Sequence, residues 1–272
     1  MNIVVLDGYN LMHRARFGLR GSRAGNEHIV FNFFRSLRPI VERLKPDILY
    51  FVLEGVPKHR LQIDAQYKGN RVIEEGSPKF AEMEDFRRQK NIIVDIISHM
   101  PCRIVRHPDY ECDDAIASIC VDVHKNDNCT IVSTDTDFIQ LLDDTGRVKI
   151  YNPVTKLEVE KPDYNYLSWK ALRGDKTDNV MPVDGMTDKK AEKIVKNIKS
   201  MDELRASSLN EQYERNLSLI SFETGIQDDF EYLQENVDWD YVKDEFSNLL
   251  FASITNDASW EKYVTTFDNI QV

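Results

Sequence analysis

The sequence predicts an α/β protein: a mostly parallel central sheet flanked by helices, followed by a mostly helical C-terminal region. Two observations carry this. Short β-branched runs such as Ile3–Leu6 and Ile48–Leu53 are too uniformly apolar for a half-exposed sheet, and they alternate with segments of helical period. From about residue 163 the strand signal fades and the helical pattern dominates. Strands alternating with helices imply a sheet covered on both faces.

The elements follow in order. Ile3–Leu6 reads as a buried first strand. Ile29, Val30, Phe33, Phe34, Leu37, Ile40, Val41 and Leu44 recur at helical spacing, which predicts a helix over 28–44, broken by Pro46-Asp47. Ile48–Leu53 is the second strand. Residues 55–78 are basic and poorly periodic, so they read as loop or mobile helix. A helix over 79–100 ends at Pro101, and a short strand follows at Cys102–Val105. The next helix, 111–125, turns Ala115, Ile116, Ile119, Cys120 and Val123 inward. Cys129–Ser133 is a further strand. With no low-complexity linker, 1–162 and 163–272 are expected to pack as one unit.

The 272 residues are 42% hydrophobic and 30% charged, enough for a large core and against wholesale disorder. No apolar run reaches a membrane span of about 18 residues, and the start lacks a secretory pattern. Cys102, Cys112, Cys120 and Cys129 show no metal spacing, which predicts reduced thiols in a cytoplasmic protein. Formal charge is −11, but residues 202–272 carry 16 acids and 4 bases, whereas 1–201 carry 30 and 31. With its clustered acids neutralised by cations, the first part suits a polyanion.

Those acids sit where strands end. Asp7 follows the first strand, Glu54 the second, and Asp135 and Asp137 the strand ending at Ser133. Open parallel sheets bind ligands beyond the carboxyl ends of their strands. Asp109, Glu111, Asp113 and Asp114 open the 111–125 helix, more acids than a cap needs. Carboxylates gathered this way repel unless cations lie between them. Hard ions such as Mg²⁺ or Mn²⁺ take oxygen ligands, and two of them can clamp a phosphodiester. The absence of matching His and Cys disfavours zinc. Gly174-Asp175-Lys176-Thr177-Asp178-Asn179 adds a further acid pair.

Two segments suit nucleic acid. The 183–187 loop opens a helix with Ala191, Ile194, Val195 and Ile198 buried and Lys189, Lys190, Lys193, Lys196 and Lys199 outside, a phosphate-binding arrangement. Lys58, Arg60, Tyr67, Lys68 and Arg71 can stack a base and grip a single strand.

Taken together, Leu6-Asp7-Gly8-Tyr9-Asn10, Phe51-Val52-Leu53-Glu54-Gly55, Tyr67-Lys68-Gly69-Asn70-Arg71, Tyr110-Glu111-Cys112-Asp113-Asp114, Ser133-Thr134-Asp135-Thr136-Asp137 and Gly174–Asn179 resemble, in family order, the flap endonuclease / 5′-3′ exonuclease family, nearest its bacteriophage ribonuclease H branch. Tyr213-Glu214-Arg215-Asn216-Leu217 adds a fainter match. The resemblance implies a PIN-like nuclease domain over 1–162 with an arch at about 55–90. It also implies a helical region over 163–272 with a helix–three-turn–helix at about 175–200, ahead of the acidic tail. It implies one metal among Asp7, Glu54, Glu111 and Asp113 and a second among Asp113, Asp135, Asp137 and Asp175, supported by Asp114 and Asp178. Lys68 and Arg71 would meet the scissile phosphate, Arg60 and Tyr67 would join them on the nucleic acid, and Gly185, Lys189, Lys190 and Lys193 would hold duplex. A potassium ion is implied near 183–187. The expected activity is 5′-3′ hydrolysis of duplex DNA and RNA–DNA hybrids, with flap cleavage, in primer removal. The expected protein is a monomer, with a single-strand DNA-binding protein or sliding clamp as partner. The rival readings are a single-strand ribonuclease and a DNA binder that has lost catalysis. Two departures stand out: Glu54, where the family has Asp, and Pro182 and Thr187 in the duplex-binding loop, where small residues are usual.

Overall fold

The computed structural model describes residues 1–18, 26–71 and 73–272; Val72, inside the expected arch, lies outside them. β1 (Asn2–Asp7) runs into α1 (Gly8–Ala15), followed by α2 (His28–Leu44), β2 (Ile48–Leu53), α3 (Lys58–Ile63) and the long α4 (Pro78–Ser98). Then come β3 (Arg103–Arg106), α5 (Cys112–Ser118), β4 (Asn128–Val132), β5 (Val148–Asn152) and β6 (Leu157–Glu158). The sheet order is β6-β5-β4-β1-β2-β3-β7, with β7 at Glu231–Tyr232. The pairings among β5, β4, β1, β2 and β3 are parallel; the two-residue edges β6 and β7 pair antiparallel.

The period-two rule divides β1 between two cores. Val4 and Leu6 face one cluster with α1, α2 and α4, while Ile3 and Val5 face another with α5. Each core is dry, and each fully buried Phe or Ile in it stabilises the fold by roughly 1.5–3 kcal/mol. The helical region, α6 (Tyr166–Arg173), α7 (Asp188–Val195), α8 (Ile198–Arg205) and α9 (Asn210–Ile220), has its own cluster around Leu172, Val183, Ala191, Met201, Leu204 and Tyr213. The chain then returns to the sheet. β7 pairs with β3, and α10 (Trp239–Asn248), α11 (Ala252–Thr255) and α12 (Asp257–Thr265) cover α2. Phe246 meets Phe34 at 4.9 Å between ring centroids and Phe251 meets Phe31 at 5.2 Å.

Two expected core residues lie outside. Val123 is 40% exposed. After Ser118 the helix continues as a π turn, Ile119–Val123, closed by His124 N–H donating to Ile119 C=O at 2.9 Å. The wider turn rotates Val123 out of phase. Ile198 is 82% exposed because α7 stops at Val195 and Asn197 caps a new helix, α8, in which Ile198 is the first residue. The four cysteines are free and buried. Among the described residues no helix is long and apolar enough to cross a membrane.

Candidate functional site

The carboxyl ends of β1, β2 and β4 open on one side of the sheet, and the acids that follow them meet there. Asp7 ends β1 and caps α1, accepting from Asn10 N–H at 3.0 Å and from Ser133 Oγ at 2.6 Å. Glu54 follows β2. Its neighbour Gly55 sits where a Cβ would fall 1.9 Å from His107 C=O, so the chain turns there only without a side chain. Asp135 caps the 3₁₀ turn Thr136–Leu141 and accepts from Asp137 N–H at 2.9 Å. Asp113 lies in the first turn of α5. Together with Asp137, Asp175 and Asp178 from the far side, these acids line a cavity of about 770 Å³, walled also by Tyr9, Asn10, His13, Lys68, Arg71 and Lys170.

Burial pushes Asp7 up to about 6, partly opposed by the Ser133 hydrogen bond. Burial likewise lifts Glu54 to about 7, with Lys68 pulling the other way. Burial, then the charges of Asp7 and Asp135, hold Asp113 well above the carboxylate range. Asp137 rises to about 6 from burial and the adjacent Asp135. Asp175 differs: burial would raise it, but Lys170 more than offsets this and its pKa falls.

Several expected site residues lie elsewhere. Arg60, expected on nucleic acid, is 3% exposed. It makes a bidentate pair with Asp114 at 2.5 and 2.7 Å, and it donates to the carbonyls of Leu219 and Ser221. Asp114, expected to support metal, is therefore fully buried with both oxygens held by Arg60, one of them also capping Glu111 N–H. Tyr67 is buried too, its hydroxyl between Glu111 (3.0 Å) and Asp178 (3.1 Å), so its ring cannot receive a base. Glu111 lies beneath the cavity with one oxygen on Lys68 and the other on Arg60 and Tyr67, not open as a direct metal ligand. In a basic, aromatic stretch the outward grip and the inward ion-pair network carry the same sequence signal.

Lys68 and Arg71 do reach the cavity, Lys68 paired with Glu111 and Arg71 with Asp178. Lys189, Lys190 and Lys193 are exposed on α7, after the turn at Gly185 (φ +71°). Lys190 Nζ donates to Gly185 C=O at 3.1 Å. The charge pattern missed Lys170, which is 4% exposed and paired with Asp137 and with Asp175 at 2.9 Å. It also missed Cys112, whose thiol lies 3.7 Å from Asp7 Oδ1. Burial and the Asp7 charge push that thiol well above its ordinary range, so it stays protonated and the ligand set stays oxygen-rich.

The fit to a hard divalent ion can be tested on these side chains alone. Asp7, Glu54, Asp113 and Asp135 make no ion pair with any described residue. Among the described residues Asp7 and Asp113, with the Cys112 thiol, bring ligand atoms within 4.8 Å of one another, and Glu54 and Asp135 line the same cavity, an oxygen-rich set of the kind such an ion takes.

The family described as 5′-3′ exonuclease, N-terminal resolvase-like domain, matches residues 2–169. DNA polymerase I of Chloroflexus aurantiacus is 28% identical over 222 residues, covering 74% of this chain and 23% of the polymerase. The chain thus spans about a quarter of the length of such curated relatives. Among solved structures, a bacteriophage T5 flap endonuclease pseudo-enzyme–product complex with DNA and metal ions aligns with TM-score 0.64 at 20% identity, over 99% of both chains. The catalytic core of Rad2 in complex with a DNA substrate aligns with TM-score 0.55 at 12% identity, over 97% of this chain and 91% of the other. At these identities the structural likenesses speak to fold.

Proposed function

This chain belongs to the 5′-3′ exonuclease family, and from that premise we propose that it is a divalent-metal-dependent 5′ nuclease hydrolysing phosphodiesters at 5′ ends of duplex DNA and RNA–DNA hybrids, with flap cleavage, as in primer removal. One observation carries the reading: four carboxylates from separate segments, none with a basic partner, line a single cavity, which Lys68 and Arg71 also line.

Asp7, Glu54, Asp113 and Asp135 would hold a Mg²⁺ or Mn²⁺ ion, and Asp137 and Asp175 a second one. When bound, such ions polarise the phosphate and make a nearby water more acidic. The chain's own groups do the rest. Lys68 and Arg71 face the cavity as cations for the phosphate, and the exposed Lys189, Lys190 and Lys193 of α7 offer a backbone-gripping face for duplex. The T5 structure named above contains DNA and metal ions, which supports both parts.

The test is a panel of 5′-labelled nicked, flapped, hybrid and single-stranded substrates in Mg²⁺. Structured DNA and hybrid should be cut in preference to single-stranded RNA. Asp135→Asn combined with Asp137→Asn should remove cleavage to background. Wild-type rates in that double variant, or a preference for single-stranded RNA, would refute the assignment.

A further inference from the structure

The two sides of the carboxylate cavity differ in one residue. Asp7, Glu54, Asp113 and Asp135 face it without a basic partner, whereas Asp137 and Asp175 share the buried ammonium of Lys170. Lys170 lies on the inner face of α6. That helix is tied to the Asp135–Asp137 turn by Tyr166 Oη and Thr136 Oγ1, 3.1 Å apart, so the ammonium is delivered from a fixed support.

We propose that Lys170 is a tethered counter-ion for Asp137 and Asp175, so that a divalent ion reaches this pair only by displacing the ammonium. The inference rests on the divalent-metal reading of the cavity. An ammonium is a compact point charge with three donors and no acceptor. It neutralises both carboxylates, and an ion entering beside it meets a like charge at close range. The cavity therefore holds a strong site at the unpaired acids and a weak one at the paired acids. Lys170 is a positioning residue: it orients Asp137 and Asp175 and sets how much metal the second site demands.

Mn²⁺ binding to the full chain, followed by the electron paramagnetic resonance of free Mn²⁺, tests this without reading activity. The wild type should show a tight class and a weak class. Lys170→Met should tighten the weak class by about tenfold, the effect of removing one close like charge. Lys170→Arg, which keeps the charge, should follow the wild type. In the absence of metal Lys170→Met should melt at lower temperature, and Mn²⁺ should raise its melting point by more than it raises that of the wild type. If methionine prevents folding, Lys170→Gln, which keeps a donor and loses only the charge, gives the same contrast. Superimposable isotherms for wild type and the neutral variants would overturn the proposal while leaving the metal site intact. A wild type that takes up no Mn²⁺ would instead overturn the metal reading beneath it.

Discussion

Arg60 of α3 and Asp113 of α5 line one small cavity, and they represent two opposite ways of burying charge. Around Arg60 every charge is matched: Asp114 bidentate, Glu111 at 3.0 Å, and two backbone carbonyls from the end of α9. Around Asp113 nothing is matched; the neighbours are Asp7, Asp135 and Glu54, and each raises its pKa. The first region is finished by the polypeptide and works as a fastener between α3, α5 and α9. The second is left unbalanced by the polypeptide, and a proton or a bound cation would balance it. A matched carboxylate and an unmatched one thus occupy adjacent positions of one helix, Asp114 and Asp113.

That contrast can be broken most forcefully at Arg60. Arg60→Met strands the fully buried Asp114 and takes one of three partners from Glu111, and should destabilise the fold by about 3–5 kcal/mol, measured by urea unfolding; a loss below about 1 kcal/mol, the level of an exposed pair, would show that the fastener is not one. The unmatched region should respond with opposite sign. In chelator at pH 8, Glu54→Gln should stabilise the protein by about 1–3 kcal/mol, since it removes a desolvated charge whose pKa stands near 7. A destabilised variant would mean that Lys68 and the Cys112 N–H hold the Glu54 carboxylate more strongly than burial opposes it. The wild type sharpens the same point through pH. Asp7, Glu54 and Asp137 have folded pKa values of about 6, 7 and 6, above their unfolded values. Their contribution is complete below about pH 4 and is lost as pH rises through 6–7. Without metal the melting temperature should therefore fall between pH 5 and pH 8, and Mg²⁺ should flatten the decline; a metal-free melting temperature that rises over this range contradicts the unmatched cluster. The smallest effect belongs to Ile198, far from both regions: Ile198→Ser should alter stability by no more than about 0.5 kcal/mol, measured by the same unfolding curves.

Much of the frame was legible because local and global signals agree. The β-branched runs at 3–6 and 48–53 became the two central strands, and the apolar repeat over 28–44 became α2 at those bounds. The strand-end rule puts Asp7, Glu54 and Asp135 at one edge of the sheet, and they line one cavity there. β5 escaped although Val148-Lys149-Ile150-Tyr151 alternates as a strand does; most of the rest had no local signature. β6 and β7 are two residues each, too short for any period. A lysine in an amphipathic helix reads as surface, so Lys170 betrays itself only when α6 is docked. Arg60 and Tyr67 look like a grip on a strand until α9 supplies the carbonyls that draw Arg60 inward. The π turn that ejects Val123 depends on one hydrogen bond that no spacing rule records.

The return of α10–α12 to the first core has a consequence for biogenesis. Phe34 and Phe31 of α2 find Phe246 and Phe251 only after some two hundred further residues have been made, and Gln271 N–H closes on Asp47 C=O at 2.8 Å. A nascent chain leaving the ribosome would carry a greasy, half-dressed helix throughout its synthesis, an invitation to chaperones and to self-association. It would also gather the carboxylate cavity on a platform that is not secured until the closing helices are made.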